Sequence, residues 1–239
     1  MATVLHVSDT HLRADDELVH GVDPRVRLQA VLDAVASEGF VPDLIVHSGD
    51  ITDDGTVEAA RLALEALSGL GGRVLGVPGN HDVPASVASV FTTADADLPG
   101  WRVIGLDTVV PGLVIGTAEG RLASLESALA VGVPLAVVMH HPLVSHSTDP
   151  ALGFLAADGF TALLARRTHP VLLLTGHTHE PFDAILDADP TRWLRLLGAP
   201  GVLNAWRHDG RRHLDTDQTG ARLITLHPDA SVETRLIIA

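Results

Sequence analysis

The chain of 239 residues contains no cysteine and no lysine. Without cysteine it has no disulfide, no thiolate metal site and no cysteine nucleophile, so a bound metal must be held by nitrogen and oxygen ligands. All 16 basic residues are arginines, and they face 30 acidic residues, which gives a net charge of −14. This charge repels polyanions and argues against a protein that binds a nucleic-acid polymer.

Long apolar runs are missing too. No stretch approaches the length that spans a lipid bilayer, and the N-terminus enters a strand-like run without the basic and apolar regions of a signal peptide. These absences predict a cytoplasmic protein with no membrane partner. The length and the 46% hydrophobic content favour one globular domain over residues 1–239 with a sizeable core.

Strand-like and helical patterns alternate along the chain. Apolar runs at residues 4–8, 44–47 and 74–78 predict strands, and the residues from Pro24 to Gly39 and from Val57 to Leu67 repeat with a helical period. This order favours a parallel sheet. Further strands are expected at residues 103–106, 113–115, 135–139 and 171–174, and helices at 84–99 (a short one), 122–129 and 160–167. Beyond residue 190, strands at 193–197, 202–205, 222–226 and 232–238 are expected to form antiparallel sheet.

Polar clusters follow the strand-like runs at five places. They are Asp9-Thr10-His11, Gly49-Asp50, Gly79-Asn80-His81-Asp82, His140-His141-Pro142 and Gly176-His177-Thr178-His179. Loops at the carboxyl ends of strands can meet at one edge of a sheet, where α/β proteins place their sites. Together the clusters supply carboxylates, imidazoles and an amide, which suits two divalent metal ions.

The spacing suggests how these donors divide between two ions. Residues two apart at a strand end point the same way if the strand geometry continues, so Asp9 and His11 can bind one ion, and Asp50 can bridge two. We expect metal 1 on Asp9, His11, Asp50 and His179, and metal 2 on Asp50, Asn80, His140 and His177. Mixed nitrogen and oxygen ligands favour Mn, Fe, Co or Zn over Mg or Ca.

A pair of ions about 3.5–4 Å apart can clamp both oxygens of an in-line displacement and turn a bridging water into a hydroxide nucleophile. His81 lies next to a predicted ligand, so we expect it to stabilise the developing charge or to protonate the leaving oxygen. Asp82 is expected to assist catalysis by orienting a neighbouring imidazole. Asp53 is expected to be structural, as a cap of the following helix or a support of its loop.

The ordered set D-x-H, G-D-x-x-D, G-N-H-D, H-x-P and G-H-x-H resembles the calcineurin-like metallophosphoesterases, from the N-terminus to about residue 180. The resemblance implies an α/β fold of four layers, an α-β-β-α sandwich in which two mixed sheets pack face to face with helices outside. It also implies the two-metal ligand set given above. The H-x-P pattern selects His140 as the ligand, with His141 as the alternative.

Within that family, the Ser8 to Leu12 segment, Asp107-Thr108 and the His140-His141-Pro142 segment look like the branch of class III cyclic nucleotide phosphodiesterases and glycerophosphodiesterases. The branch implies hydrolysis of a small phosphodiester, with a 3′,5′-cyclic nucleotide as one candidate. Val83 replaces an Asp common in the branch, and the chain beyond residue 200 matches no pattern, so the substrate stays open.

Other readings of the same motifs remain. A phosphomonoesterase would use the same metal pair, whereas a non-catalytic scaffold or a metal-binding sensor would bind without turnover. The loops at residues 12–23 and 145–150 are expected to decide the substrate. The apolar C-terminal strands suit pairing across a homodimer.

Overall fold

The computed structural model describes residues 1–92, 95–144, 152–155, 157–208, 212–215 and 218–239, so the predicted substrate loop at residues 145–150 lies outside the described residues. The strands are β1 (Ala2–Val7), β2 (Leu44–His47), β3 (Arg73–Gly76), β4 (Ala96–Leu98), β5 (Trp101–Gly105), β6 (Gly116–Thr117), β7 (Leu135–Val138), β8 (Phe154–Leu155), β9 (Val171–Thr175), β10 (Phe182–Asp187), β11 (Leu194–Gly198), β12 (Ala205–His208), β13 (Arg212–Asp215), β14 (Gly220–Leu226) and β15 (Val232–Ile238). The helices are α1 (Pro24–Ser37), α2 (Val57–Ser68), α3 (Pro84–Val90), α4 (Leu122–Leu129) and α5 (Ala157–Ala165).

The first sheet has five strands in the order β15-β14-β1-β2-β3. Strands β1, β2 and β3 are parallel, as the alternation of strands and helices predicts, because each helix carries the chain back to the start of the next strand. The C-terminal strands β14 and β15 extend this sheet in antiparallel fashion from β1. The C-terminal strand β14 is therefore hydrogen-bonded to the N-terminal strand β1.

The second sheet has six strands in the order β10-β11-β9-β7-β5-β4, with a parallel centre and antiparallel edges. Three expectations are corrected here. Residues 113–115 form no strand, residues 202–204 are a loop, and β11 lies parallel to β9, so the tail is not uniformly antiparallel. Strand β10 was not predicted, because exposed and half-buried residues alternate in it at an edge and leave no apolar run.

Side-chain alternation along the strands builds four layers. In β1, Val4 packs between the sheets whereas Leu5 faces the helices α1 and α2. In β7, Val138 packs between the sheets whereas Val137 faces α4 and α5. Since β1 and β7 are buried on both faces, each appears in the sequence as a continuous apolar run. The four-layer α-β-β-α sandwich is confirmed.

The helix boundaries follow from capping residues. Pro24 is the first residue of α1, and the Asp23 carboxylate accepts hydrogen bonds from the first backbone N–H groups of that helix. The cap of α2 is Thr56, not Asp53, because the Thr56 hydroxyl accepts from the Ala59 N–H at 3.1 Å. Among the described residues no helix has the length and apolar character needed to cross a membrane.

Candidate metal centre

Both sheets deliver the predicted donors to one edge of the sandwich. Each cluster begins one to three residues after a parallel strand ends, at the carboxyl ends of β1, β2, β3, β7 and β9. Backbone hydrogen bonds join the loops to one another: the Asp9 N–H donates to Gly49 O at 3.0 Å, and the His11 N–H donates to Asp50 O at 3.0 Å. The Gly176 N–H donates to His140 O at 3.1 Å. The edge is thus a connected backbone frame.

The predicted ligands sit on unusual backbone. Positive φ angles occur at Asp9 (57°), His11 (46°), Asp50 (50°), His177 (72°) and His179 (53°). This region is uncommon for residues other than glycine, and each such residue costs of order 1–3 kcal/mol that the surrounding structure must offset. The assumption that strand geometry continues into these loops is therefore wrong. The side chains converge because left-handed backbone turns them inward.

One group of donors surrounds Asp9. The His179 Nε2 atom lies 3.3 Å from the Asp9 carboxylate and 3.3 Å from His11 Nε2. The Asp50 carboxylate completes this group, with its Oδ2 atom 3.8 Å from His11 Nε2. We call Asp9, His11, Asp50 and His179 the first subsite. All four side chains are buried.

A second group lies on the other side of Asp50. Its Oδ2 atom is 3.3 Å from His140 Nε2, which lies 3.2 Å from Asn80 Oδ1 and 3.2 Å from His177 Nδ1. We call Asp50, Asn80, His140 and His177 the second subsite. The structure thus brings the seven predicted metal ligands together in two groups that share Asp50.

The donor atoms of these groups fit cations. The Nδ1 atoms of His140 and His179 face backbone carbonyl oxygens, of Ser48 at 2.8 Å and of Asn204 at 3.0 Å, so each Nδ1 carries the proton. In the neutral form of each ring, the lone pair of Nε2 therefore points at carboxylate oxygens and at other imidazole nitrogens. Such converging acceptors repel one another unless a cation lies between them.

Electrostatics point the same way. Burial opposes ionisation of Asp9, yet the neighbouring His179 holds the pKa of Asp9 below its usual range, so the carboxylate is ionised. Burial also opposes protonation of His140, but the carboxylates of Asp50 and Asp9 raise the pKa of His140 to about 9. The cluster thus attracts positive charge into a buried space. Two metal ions would supply that charge in place of the proton.

His141 lies close to His140 and His177 but is less well placed than His140 to bind an ion. Its Nδ1 atom lies 2.8 Å from the Thr108 hydroxyl and its Nε2 atom 3.0 Å from Val114 O, so both ring nitrogens are engaged in hydrogen bonds away from Asp50. Burial, reinforced by the neighbouring His140, lowers the pKa of His141 to about 2, so the ring is neutral. This geometry favours His140 over His141.

His81 lies beside the first subsite and lines the cavity above it. Its ring centroid is 4.7 Å from that of His11, and its Nδ1 atom lies 3.2 Å from the Asp53 carboxylate. The same carboxylate is 3.6 Å from His11 Nδ1 and 3.2 Å from the Arg13 guanidinium. The Asp53 hydrogen bond raises the pKa of His81, although partial burial opposes this. Asp53 therefore holds the His81 ring and lies against the His11 ring, a role that its position in the sequence did not indicate.

Asp82 has a different place from the predicted one. Its carboxylate accepts hydrogen bonds from the backbone N–H groups of Gly79, Ile51 and Thr52 at 2.8–3.0 Å and from the Thr52 hydroxyl at 2.8 Å. These bonds join the loop after β3 to the loop after β2. The expectation that Asp82 orients an imidazole is corrected: its hydrogen bonds come from backbone N–H groups and the Thr52 hydroxyl, and Asp53 is the carboxylate that faces the rings.

Gly79 makes this loop pairing possible. A Cβ atom at residue 79 would lie 2.2 Å from Asp50 Oδ1 and 2.3 Å from the Asp50 backbone nitrogen. No larger residue fits without displacing Asp50, so the glycine of the G-N-H-D motif is explained by the close approach of the loops after β2 and β3.

A cavity of about 300 Å³ opens over both subsites. Its floor is polar, and its walls include the His20 imidazole on one side and the apolar side chains of Val114 and Leu152. His20 sits in a two-residue turn between Val19 and Val22, with φ angles of 51° at His20 and 78° at Gly21, as in a type I′ hairpin. The Val19, His20, Gly21 sequence carries the turn signal, but nothing in it indicates that the turn faces the donors.

Comparison with known proteins gives the following. The sequence model of calcineurin-like phosphoesterases matches residues 2–181. A probable cyclic nucleotide phosphodiesterase of Rhodococcus erythropolis is 35% identical over 193 residues, which cover 74% of this chain and 64% of that protein, slightly under two thirds. The 3′,5′-cyclic adenosine monophosphate phosphodiesterase CpdA of Escherichia coli is 30% identical over 247 residues, 98% of this chain and 88% of that one. A dimetal phosphatase from Danio rerio has the same fold, with a TM-score of 0.67 at 14% identity over 99% of this chain and 98% of its own.

Proposed function

Since this chain belongs to the calcineurin-like phosphoesterase family, whose members hydrolyse phosphoric esters with metal ions, we propose that it is a two-metal phosphodiesterase for a small diester. A 3′,5′-cyclic nucleotide is the leading substrate. Metal-dependent hydrolysis of a phosphoric ester follows from membership of the family. The number of metal ions, the residues that bind them and the substrate are what we propose here.

One observation carries the two-metal part. The Asp50 carboxylate lies between two groups of nitrogen and oxygen donors, with its Oδ2 atom 3.8 Å from His11 Nε2 and 3.3 Å from His140 Nε2. A shared carboxylate holds two ions at a short separation. Bound ions would supply Lewis-acid charge to the phosphate and a hydroxide nucleophile at neutral pH.

The chain's own residues would position the substrate and protonate its leaving oxygen. Asp53 holds His81 Nδ1, which leaves Nε2 as the ring nitrogen for the substrate in the cavity. A protonated His81 can donate a hydrogen bond to the phosphate or a proton to the leaving oxygen. Since its side chain is 42% exposed, it can also exchange protons with solvent between turnovers.

The substrate class is supported by the relatives and by the cavity. Both curated relatives described above are named for cyclic nucleotides. The cavity combines a polar floor with the apolar walls of Val114 and Leu152, which suits a phosphate joined to a nucleoside. The identity of the ions among Mn, Fe, Zn and Co, the homodimer and the cytoplasmic location remain predictions.

Hydrolysis by metal-stripped protein, with Mn²⁺ added back, tests the proposal. We expect Mn²⁺-dependent release of nitrophenol from bis-p-nitrophenyl phosphate, little release from p-nitrophenyl phosphate, and ring opening of cyclic AMP or cyclic GMP. The Asp50→Asn variant is the control for contaminating phosphatase. Preference for the monoester would replace this proposal with a phosphomonoesterase, and metal binding without turnover of any of these esters would replace it with a sensor or scaffold.

A further inference from the structure

The chain after β11 returns to the first subsite. We call residues 199–204 the strap; they lie beyond the segment that the family model matches. The Val202 N–H donates to Ser8 O at 3.0 Å, and the Leu203 N–H donates to Asp9 O at 3.0 Å. The Gly201 N–H donates to His179 O at 3.4 Å. The strap therefore bonds to the loops that follow β1 and β9, which carry three of the four first-subsite residues.

The last residue of the strap contacts a predicted ligand directly. His179 Nδ1 lies 2.7 Å from Asn204 Oδ1 and 3.0 Å from Asn204 O. The backbone oxygen is an acceptor only, so Nδ1 is the donor, and the side-chain atom that faces it must be the amide oxygen. Two acceptors on Nδ1 hold the ring plane and direct the lone pair of Nε2 toward Asp9.

Arg222 anchors the strap and the ligand loop together. Its guanidinium is buried between the sheets and donates to Gly198 O at 3.0 Å and to Phe182 O at 3.0 Å. Gly198 immediately precedes the strap, and Phe182 follows the loop that carries His179. The buried Arg222 guanidinium thus links the residue before the strap to the residue that follows the loop carrying His179.

Within the described part of the chain, no hydrogen bond from the strap reaches the second subsite. Its His140 is oriented by the Ser48 backbone oxygen at 2.8 Å, which belongs to the loop after β2. We infer that Asn204 is a positioning residue for the first metal ion alone, so that the C-terminal strap sets the affinity of the first subsite without affecting the second. This inference rests on the proposed binding of two ions.

The test separates the two subsites by removing one ligand at a time. In a His140→Ala background the remaining tight site reports the first subsite, and in a His11→Ala background, which keeps the contact between Asn204 and His179, it reports the second. Mn²⁺ affinity of metal-stripped protein, measured by calorimetric titration, is compared with and without Asn204→Leu in each background. We expect Asn204→Leu to weaken Mn²⁺ binding about tenfold in the His140→Ala background, as for other partners of ligating histidines, and not in the other.

Matched variants separate positioning from general destabilisation. Thr108→Val removes an equally buried hydrogen bond to the non-ligand His141, so it should lower the thermal midpoint and leave both Mn²⁺ affinities unchanged. Gly201→Ala should reproduce the selective loss, because a Cβ atom there would lie 2.3 Å from Asn204 O and 2.9 Å from His179 Cγ. Asn204→Asp, which keeps an acceptor, should restore the affinity of the first subsite.

The outcomes are distinct. A wild-type protein that binds fewer than two ions contradicts the proposed function itself. A wild type with two ions, in which Asn204→Leu weakens both subsites equally or neither, overturns the role of the strap. If Asn204→Leu does not unfold cooperatively, Asn204→Ser carries the same comparison.

Discussion

Replacing Asp53 by asparagine tests the coupling between the carboxylate and His81. The change is nearly isosteric, and it removes a negative charge that lies 3.2 Å from His81 Nδ1 and 3.6 Å from His11 Nδ1. The neighbouring imidazoles of His11 and His81 hold the pKa of Asp53 far below its usual range, so the group is ionised at any working pH. A neutral amide can orient the ring but cannot stabilise an imidazolium.

The size of the effect follows from the bond that is lost. A hydrogen bond to a charged group contributes about 1.5–3 kcal/mol, and the 42% exposure of the His81 side chain places this one near the lower limit because solvent screens it. That energy corresponds to roughly tenfold in kcat at neutral pH. His81→Ala, which removes the proton donor itself, should cost about 100-fold to 10,000-fold and leave both ions bound.

The direction in which the pH profile of kcat moves in Asp53→Asn tests the role of the protonated His81. Asp53 raises the pKa of His81, so its loss lowers that pKa and His81 loses its proton at a lower pH. If the protonated ring is the active form, the decline of kcat on the alkaline side must move to lower pH in Asp53→Asn. The assay is kcat for bis-p-nitrophenyl phosphate between about pH 5 and pH 9 at saturating Mn²⁺.

The control is Asp54→Asn, which removes the same charge one residue away, from a carboxylate that accepts from the Ala14 and Thr56 N–H groups rather than from a ring. It should leave kcat and the profile as in wild type. An Asp53→Asn profile that coincides with wild type, with unchanged kcat, would refute proton donation by His81 under the control of Asp53.

Two further outcomes follow from the same geometry. Asp50→Ala removes the only carboxylate shared by both subsites among the described residues, so it should abolish turnover and reduce bound Mn²⁺ below two ions, as measured by metal analysis after gel filtration; retention of two ions would contradict the bridging role. His20→Ala removes a side chain that lines the cavity, so it should raise KM for a cyclic nucleotide several-fold, whereas kcat for bis-p-nitrophenyl phosphate stays unchanged. An equal loss of activity on both substrates would assign His20 to the metal centre instead.

Some features could be predicted because they depend on local pattern. The buried strands β1, β2, β7 and β9 appear as continuous apolar runs, and helix α1 carries its proline and its capping aspartate in sequence. Strand β10 and the parallel pairing of β11 lacked such signals, since an exposed edge strand has no apolar run and strand direction depends on which neighbour it meets.

The sequence by itself determined which atoms are available for metal ions. Nitrogen and oxygen donors stand at the ends of strands, in an order specific enough to identify a family and to predict seven ligands. Tertiary structure decided what each donor faces: His11 and His179 meet although 168 residues separate them, and Asn204 reaches His179 from a strap that matches no motif. The same packing places the Asp53 carboxylate beside the rings of His11 and His81, and it directs the Asp82 carboxylate toward backbone N–H groups. These assignments depend on hydrogen-bond directions between loops of two sheets, which no local spacing encodes.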